Sequence, residues 1–144
     1  EIFRWTTEKR DLTIAETEAA ILKVNASLEA LCFAIVDSSK NSLLGNIALA
    51  LEADRADTAE MMYWLAAAAR GRGIATRAVM ILSDWAFQSL GLQHIVLKIR
   101  SGNLHSQRVA ERAGFRQVAL GEAGYIWFER NKFIGSETGS IGKS

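Results

Sequence analysis

At 144 residues, 49% hydrophobic and 23% charged, the chain has the size and composition of one globular domain, which excludes a largely disordered protein. A net charge of +1 gives no field that argues for nucleic acid or an anionic membrane, and no apolar run reaches the roughly 18 residues of a membrane span. A single cysteine, Cys32, rules out an internal disulfide; with no signal-peptide pattern, a reducing, cytoplasmic setting is the expectation.

In chain order, Glu1 to Asp11 is mixed and polar, with Phe3 and Trp5 as apolar anchors. Thr13 to Leu31 reads as a helix. Ile14, Ala20 or Ile21, Val24 and Leu28 recur at helical spacing, and Glu16, Glu18, Lys23 and Glu29 take the other face. Two strands follow, Leu31–Asp37 and Leu43–Leu51, joined by the turn Ser38–Asn41 into a hairpin, with Gly45 marking a bulge or a close approach. Glu52–Thr58 reads as a charged, solvated loop. Ala59–Leu65 is a strand, Arg70-Gly71-Arg72-Gly73 a turn, and Ile74–Leu90 a helix closed by Gly91. Its apolar face is expected to carry Ile74, Ala78, Ile81, Leu82 and Trp85. His94–Arg100 is a strand with Ile95, Leu97 and Ile99 on one side. Ser101-Gly102-Asn103 breaks it before a short helix, Leu104 to Ala113, that ends at Gly114. Phe115–Leu120, the turn Gly121–Gly124 and Tyr125–Glu129 form a last hairpin. Beyond Phe133 the composition shifts to Gly, Ser, Thr and Lys, so the expected domain is 1–133 and the tail 134–144 is expected to be flexible. This order describes an α/β or α+β fold, one sheet with helices packed on it.

The stretch from Ala59 to Leu90 carries the clearest chemistry. A strand feeds a glycine-rich turn that opens a helix, an arrangement suited to gripping phosphate. Glycines let the backbone turn tightly and approach a ligand. First-turn amides have no partner inside the helix, and the macrodipole adds about half a positive charge there. An anion is held by such main-chain groups, and Arg70 and Arg72 add charge. The turn is therefore read as a seat for the pyrophosphate of a nucleotide cofactor.

Three stretches together resemble the GCN5-related N-acetyltransferase (GNAT) superfamily, most closely its Rim-type group, which acetylates ribosomal-protein N-termini. Arg70-Gly71-Arg72-Gly73-Ile74-Ala75 matches the family's Arg/Gln-x-x-Gly-x-Gly/Ala pattern. Asn103 and Ser106, followed by Glu111-Arg112-Ala113-Gly114-Phe115, resemble its Asn-x-x-Ser…Gly-Phe segment. Tyr63-Trp64-Leu65 resembles the Rim-type Gly-Tyr-Trp-Leu, with Met62 in place of the glycine. The resemblance spans about Leu31 to Val118.

It implies a GNAT fold: a central mixed sheet with a splayed pair of parallel strands and helices on both faces. It also implies acetyl-CoA as acyl donor, with no metal. The strand ending at Tyr63–Leu65 would bulge and splay from His94–Arg100, and the pantetheine arm would lie between them, paired like an added strand. Exposed amides of Tyr63, Trp64 and Leu65 would line that arm. The Leu65 amide would stabilise the oxyanion of the tetrahedral intermediate, a term worth about 3 kcal/mol. Amides of Gly71, Arg72, Gly73, Ile74, Ala75 and Thr76, with Arg70, would hold the pyrophosphate, while Asn103 and Ser106 would face the pantetheine and thiol.

Direct attack by an amine needs a base and an acid. Ser106 is the candidate acid, because Ala110 stands where many relatives carry tyrosine. Lys98 stands where some relatives carry a glutamate, which leaves Glu60 as the candidate base, acting through water. Arg77, where Rim-type relatives carry glutamate, is read as a contact to the adenosine 3′-phosphate or as a solvated side chain. Plainer readings stand beside these. Asn103 is also a natural helix N-cap, Ser106 also a solvated first-turn serine, and Glu60 also an exposed strand carboxylate. Trp64 and Trp85 read as core, and His94 and His105 have no partners at ligand spacing.

The expected reaction is acetyl transfer to a primary amine, by resemblance the N-terminal amine of a protein or peptide such as a ribosomal protein. The rivals are a small amine (a polyamine, an aminoglycoside or an amino-acid derivative) and a CoA-binding module with weak turnover. RNA binding through Arg-Gly-Arg-Gly fails, since the segment opens an apolar-faced helix with no basic or aromatic cluster beside it. Nucleic acid and membrane are not expected partners; a homodimer is a family-level expectation. The first strand and helix that relatives carry before Phe3–Trp5 are expected to be missing.

Overall fold

The computed structural model describes residues 30–132 and, before them, positions 15, 16, 18, 19 and 22, which are helical and exposed. These five fall within the helix expected over Thr13–Leu31. Ala30 and Leu31, expected to end that helix, belong instead to the first strand, while its remaining residues, the opening segment with Phe3 and Trp5, and the tail 134–144 lie outside the described residues. The described elements are β1 (Ala30–Asp37), β2 (Ser42–Glu52), β3 (Arg55–Leu65), a 3-10 turn (Ala67–Ala69), α1 (Ile74–Ser89), β4 (His94–Arg100), α2 (Leu104–Arg112), β5 (Arg116–Leu120), a 3-10 turn (Glu122–Gly124) and β6 (Tyr125–Asn131).

The six strands form one sheet in the order β1-β2-β3-β4-β6-β5. Every neighbouring pair is antiparallel except β3 and β4, which are joined through α1 and run parallel. At Gly45 the expected close approach is real: a Cβ there would collide with the Trp64 carbonyl oxygen. The register shift of β1 against β2 falls beside it, leaving Leu44 without an opposite residue.

Two expectations are corrected. Glu52–Thr58 is not a loop. β3 begins at Arg55 and pairs across a two-residue turn, with Arg55 opposite Glu52. The charges sit on the exposed end of a hairpin, where polar side chains cost a strand nothing. The buried face of α1 is also rotated. Ala75, Val79, Leu82, Ser83 and Ala86 face the core, while Ile81 is 70% exposed. Small residues let the helix lie close to the sheet, and the Ser83 hydroxyl is satisfied by the Val79 carbonyl at 2.6 Å. Trp85 is not core; it meets Phe33 of β1 edge-on at 5.9 Å.

The core joins Ile47 and Leu49 of β2, Ala59, Met61 and Leu65 of β3, Ile95, Leu97 and Ile99 of β4 and Phe128 of β6 to the inner faces of α1 and α2. The paired registers put these odd-numbered β2, β3 and β4 side chains on one face of the sheet. Glu60, Met62, Trp64, Lys98 and Arg100 therefore project from the opposite face.

Candidate active site

Parallel pairing between β3 and β4 is confined to Thr58↔His94, Ala59↔Ile95 and Glu60↔Val96. Beyond that point β3 stays with β2 as far as Leu65, and β4 stays with β6 as far as Arg100. Each strand keeps its outer partner and loses its inner one, so the sheet splays. The expected bulge in β3 is absent: its register with β2 runs unbroken from Ala59 to Leu65. The opening comes from divergence of two regular strands.

The polarity of the gap follows from two bonds. The Gln93 amide donates to the Asp57 carbonyl at 2.8 Å, and the Ala66 amide donates to the Leu44 carbonyl at 2.7 Å. Main-chain groups alternate sides along a strand, so the odd positions of β3 face β4 and the even ones face β2. The amides of Met61, Tyr63 and Leu65 thus edge the gap. Trp64 differs from the expectation: its main chain belongs to the ladder opposite Asn46. On the Leu65 carbonyl, Arg70 Nε donates at 3.2 Å, tying the end of the strand to the turn.

That turn reaches α1 with Gly71 at φ +74° and Gly73 at φ +72°, left-handed positions that glycine occupies without strain. Gly73 is the N-cap and offers no side chain, and the first helical turn holds no acidic residue. The first intrahelical bond runs from the Arg77 amide to the Gly73 carbonyl at 3.1 Å, which leaves the earlier amides, those of Ile74, Ala75 and Thr76, without helical partners. Gly71, Arg72 and Gly73 are exposed, whereas Ile74 and Ala75 are buried and can offer a ligand only their backbone. Arg77 folds back so that its Nε donates to the Gly73 carbonyl at 3.4 Å, beside the same amides.

A cavity of about 1170 Å³ occupies the gap. Its walls come from both faces of the sheet. Met61, Tyr63, Leu97, Ile99, Asn103 and Ser106 line the helix side, and Glu60, Met62, Trp64, Lys98 and Trp127 the other. The cavity therefore passes between the splayed strands. Leu65, with the amide expected to hold the oxyanion, and the Arg70–Thr76 turn, the expected phosphate seat, both lie outside its lining.

On the helix side, Asn103 caps α2 by accepting from the Ser106 amide at 3.2 Å. The cap fixes Ser106 in the first turn, against the cavity. Ala110 is wholly buried in the core and offers no polar group. On the other side, Lys98 Nζ lies 2.9 Å from Glu60 Oε2 and 5.0 Å from the centre of the Trp127 ring. Glu60 is thus ion-paired, not an isolated strand carboxylate. Arg100 stacks over Tyr125 at 5.1 Å, adding a second cation to the cavity.

Trp64, expected in the core, is only half-buried and lines the cavity on the far face instead; its indole nitrogen is buried with no hydrogen-bond partner. The Tyr63 hydroxyl, also buried without a partner, went unread in the sequence. Burial pushes the Tyr63 phenol up to about 12, opposed in part by the nearby Ser106 hydroxyl. The sequence signal was present in the alternation of β3, but it drew attention to main-chain groups alone.

The family model for an acetyltransferase (GNAT) domain matches residues 1–116. "Probable N-acetyltransferase YjcK" of Bacillus subtilis (strain 168) is 37% identical over 89 residues, 61% of this chain and 49% of that protein. The chain thus spans about half the length of this curated relative. Among solved structures, ribosomal-protein-S5-alanine acetyltransferase from Vibrio fischeri superposes with a TM-score of 0.72 at 20% identity, covering 88% of this chain and 78% of that one. Spermidine N-acetyltransferase from Vibrio cholerae, in complex with CoA and spermine, gives 0.68 at 19%, covering 89% and 79%. These two similarities establish the fold.

Proposed function

The chain belongs to the acetyltransferase (GNAT) family, and on that footing we propose that it transfers the acetyl group of acetyl-CoA to a primary amine, the N-terminal amine of a protein or peptide being the favoured acceptor. The observation that carries this reading is the loss of β3–β4 pairing after Glu60 and Val96, which leaves the Tyr63 amide beside a cavity lined from both faces of the sheet and the Leu65 amide farther along the same strand edge. A thioester arm laid in that gap can pair with those free amides. The uncapped start of α1, with Gly71 to Thr76 and Arg70 and Arg72, suits the diphosphate at the other end.

In this reading the donor enters from the helix side and the amine from the opposite face. The Leu65 amide receives the oxyanion. Ser106, on the capped turn of α2, faces the leaving sulfur. Glu60, held by Lys98, takes the proton of the incoming amine through water. The ion pair occupies the Glu60 carboxylate, so a polycation entering here meets no surplus negative charge: Glu60 and Glu122 are balanced by Lys98 and Arg100 among the lining residues. Together with the apolar walls of Met62, Trp64 and Trp127, this favours a peptide over a polyamine.

The test measures free thiol released from acetyl-CoA, with ribosomal-protein N-terminal peptides and small amines side by side. Peptide-dependent release supports the reading, and release with small amines alone overturns the acceptor. Ser106→Ala should lower kcat about tenfold or more with acetyl-CoA affinity nearly unchanged. Tight CoA binding with no turnover on any acceptor would instead favour a binding module.

A further inference from the structure

Two rungs, each a cation over an aromatic ring, wall the far face of the cavity. Lys98 of β4 stands opposite Trp127 of β6, and Arg100 opposite Tyr125. Lys98 Nζ lies 5.0 Å from the Trp127 ring and the Arg100 guanidinium 5.1 Å from the Tyr125 ring. The two cations differ in what they hold. Lys98 is ion-paired to Glu60. Arg100 is exposed and forms no ion pair among the described residues, and Glu122, the other carboxylate of the lining, is paired with neither cation. Stacking on Tyr125 occupies a face of the guanidinium and fixes its plane, which leaves its N–H edges free for a planar anion.

We propose that Arg100 selects the acceptor: it binds a carboxylate carried by the amine-bearing molecule, and the favoured acceptor is a peptide whose second residue is aspartate or glutamate. The assignment rests on the acetyl-transfer reading above, in which the amine enters on this face beside Glu60. Arg100 follows Lys98 by two residues of strand, about 7 Å. In an extended peptide the side-chain carboxylate of the second residue lies at about that distance from the N-terminal amine, so one acceptor can reach both rungs. The first rung then takes the proton and the second reads the charge. A polyamine would bring a second cation to Arg100 and be repelled there. A small ω-amino acid offers the same pair of groups, but the apolar walls of Met62, Trp64 and Trp127 favour the peptide.

The experiment measures thiol release from acetyl-CoA with peptides identical except at the second residue, which is aspartate, asparagine or lysine, and with an ω-amino acid of matching length. The wild type should favour the aspartate peptide over the asparagine peptide about tenfold in kcat/KM. In Arg100→Gln that ratio should fall to about one, and in Arg100→Glu the lysine peptide should become the best substrate of the three. Ratios taken within one enzyme cancel any general loss of activity. Melting temperature, and calorimetry with acetyl-CoA, show that each variant is folded and keeps its donor site. No preference in the wild type, or an aspartate preference that survives in Arg100→Gln, overturns the role while leaving acetyl transfer intact. Release with the ω-amino acid but with no peptide, abolished in Arg100→Gln, overturns the peptide as the source of the carboxylate. A wild-type protein that acetylates no acceptor overturns acetyl transfer, and the role with it.

Discussion

Glu60 and Lys98 sit at the point where the parallel ladder ends, and their ion pair closes one rim of the gap. An exposed pair of this kind is worth little to stability; in the proposed reaction its effect is to hold the Glu60 carboxylate on the face from which the amine would enter. Glu60→Gln should therefore lower kcat about tenfold while calorimetry finds acetyl-CoA affinity unchanged. Tyr63 makes a second prediction, one of stability against pH. Its folded phenol ionises near 12, above the ordinary value of 10. The unfolded chain therefore loses its proton first, and stability is full below pH 10 and falls as pH rises toward 12. Denaturant midpoints measured across that window should decline less in Tyr63→Phe.

Elements set what those residues can reach. The start of α1 is left open because glycine supplies both the left-handed turn and the N-cap, and no side chain competes for the first amides. A Cβ at Gly73 would meet no atom within 4 Å, so Gly73→Ala tests the backbone alone. It should cost about 1–2 kcal/mol of stability through strain at φ +72°, and it should weaken acetyl-CoA binding, read by thermal melting and calorimetry on the same preparation. The start of α2 is built the other way: Asn103 closes it with a side chain and thereby fixes Ser106. One helix presents bare amides and the other presents a hydroxyl.

At the scale of the molecule, the proposed reaction uses the splayed sheet to keep donor and amine on opposite faces. Odd positions of β3 and β4 look to the helices and even positions look away, yet both line one cavity, because the strands part between them. A bulky residue on the far face should therefore block the amine and spare the donor. Ala48→Trp, placed on that face of β2 and lining the cavity, is expected to raise the acceptor KM about tenfold or more with acetyl-CoA affinity kept. Steady-state kinetics varied in each substrate, with calorimetry for the donor, checks it.

Local chemistry was enough to read the strands, the turn of two positive-φ glycines, both helices and the Asn103 cap, because each depends on neighbours within a few residues. The three motifs in order were enough to read the family. The polar residues 52–58 were misread as a loop because strand pairing, not propensity, decided them. The face of α1 was misread because the sheet demanded small residues where hydrophobicity alone favours Ile81 and Trp85. Only the tertiary structure decided which amides of β3 are free, that Glu60 is paired to Lys98, and that the Tyr63 hydroxyl is stranded beside Ser106. Each of these depends on where a strand thirty or more residues away begins to diverge, and no local pattern encodes that distance.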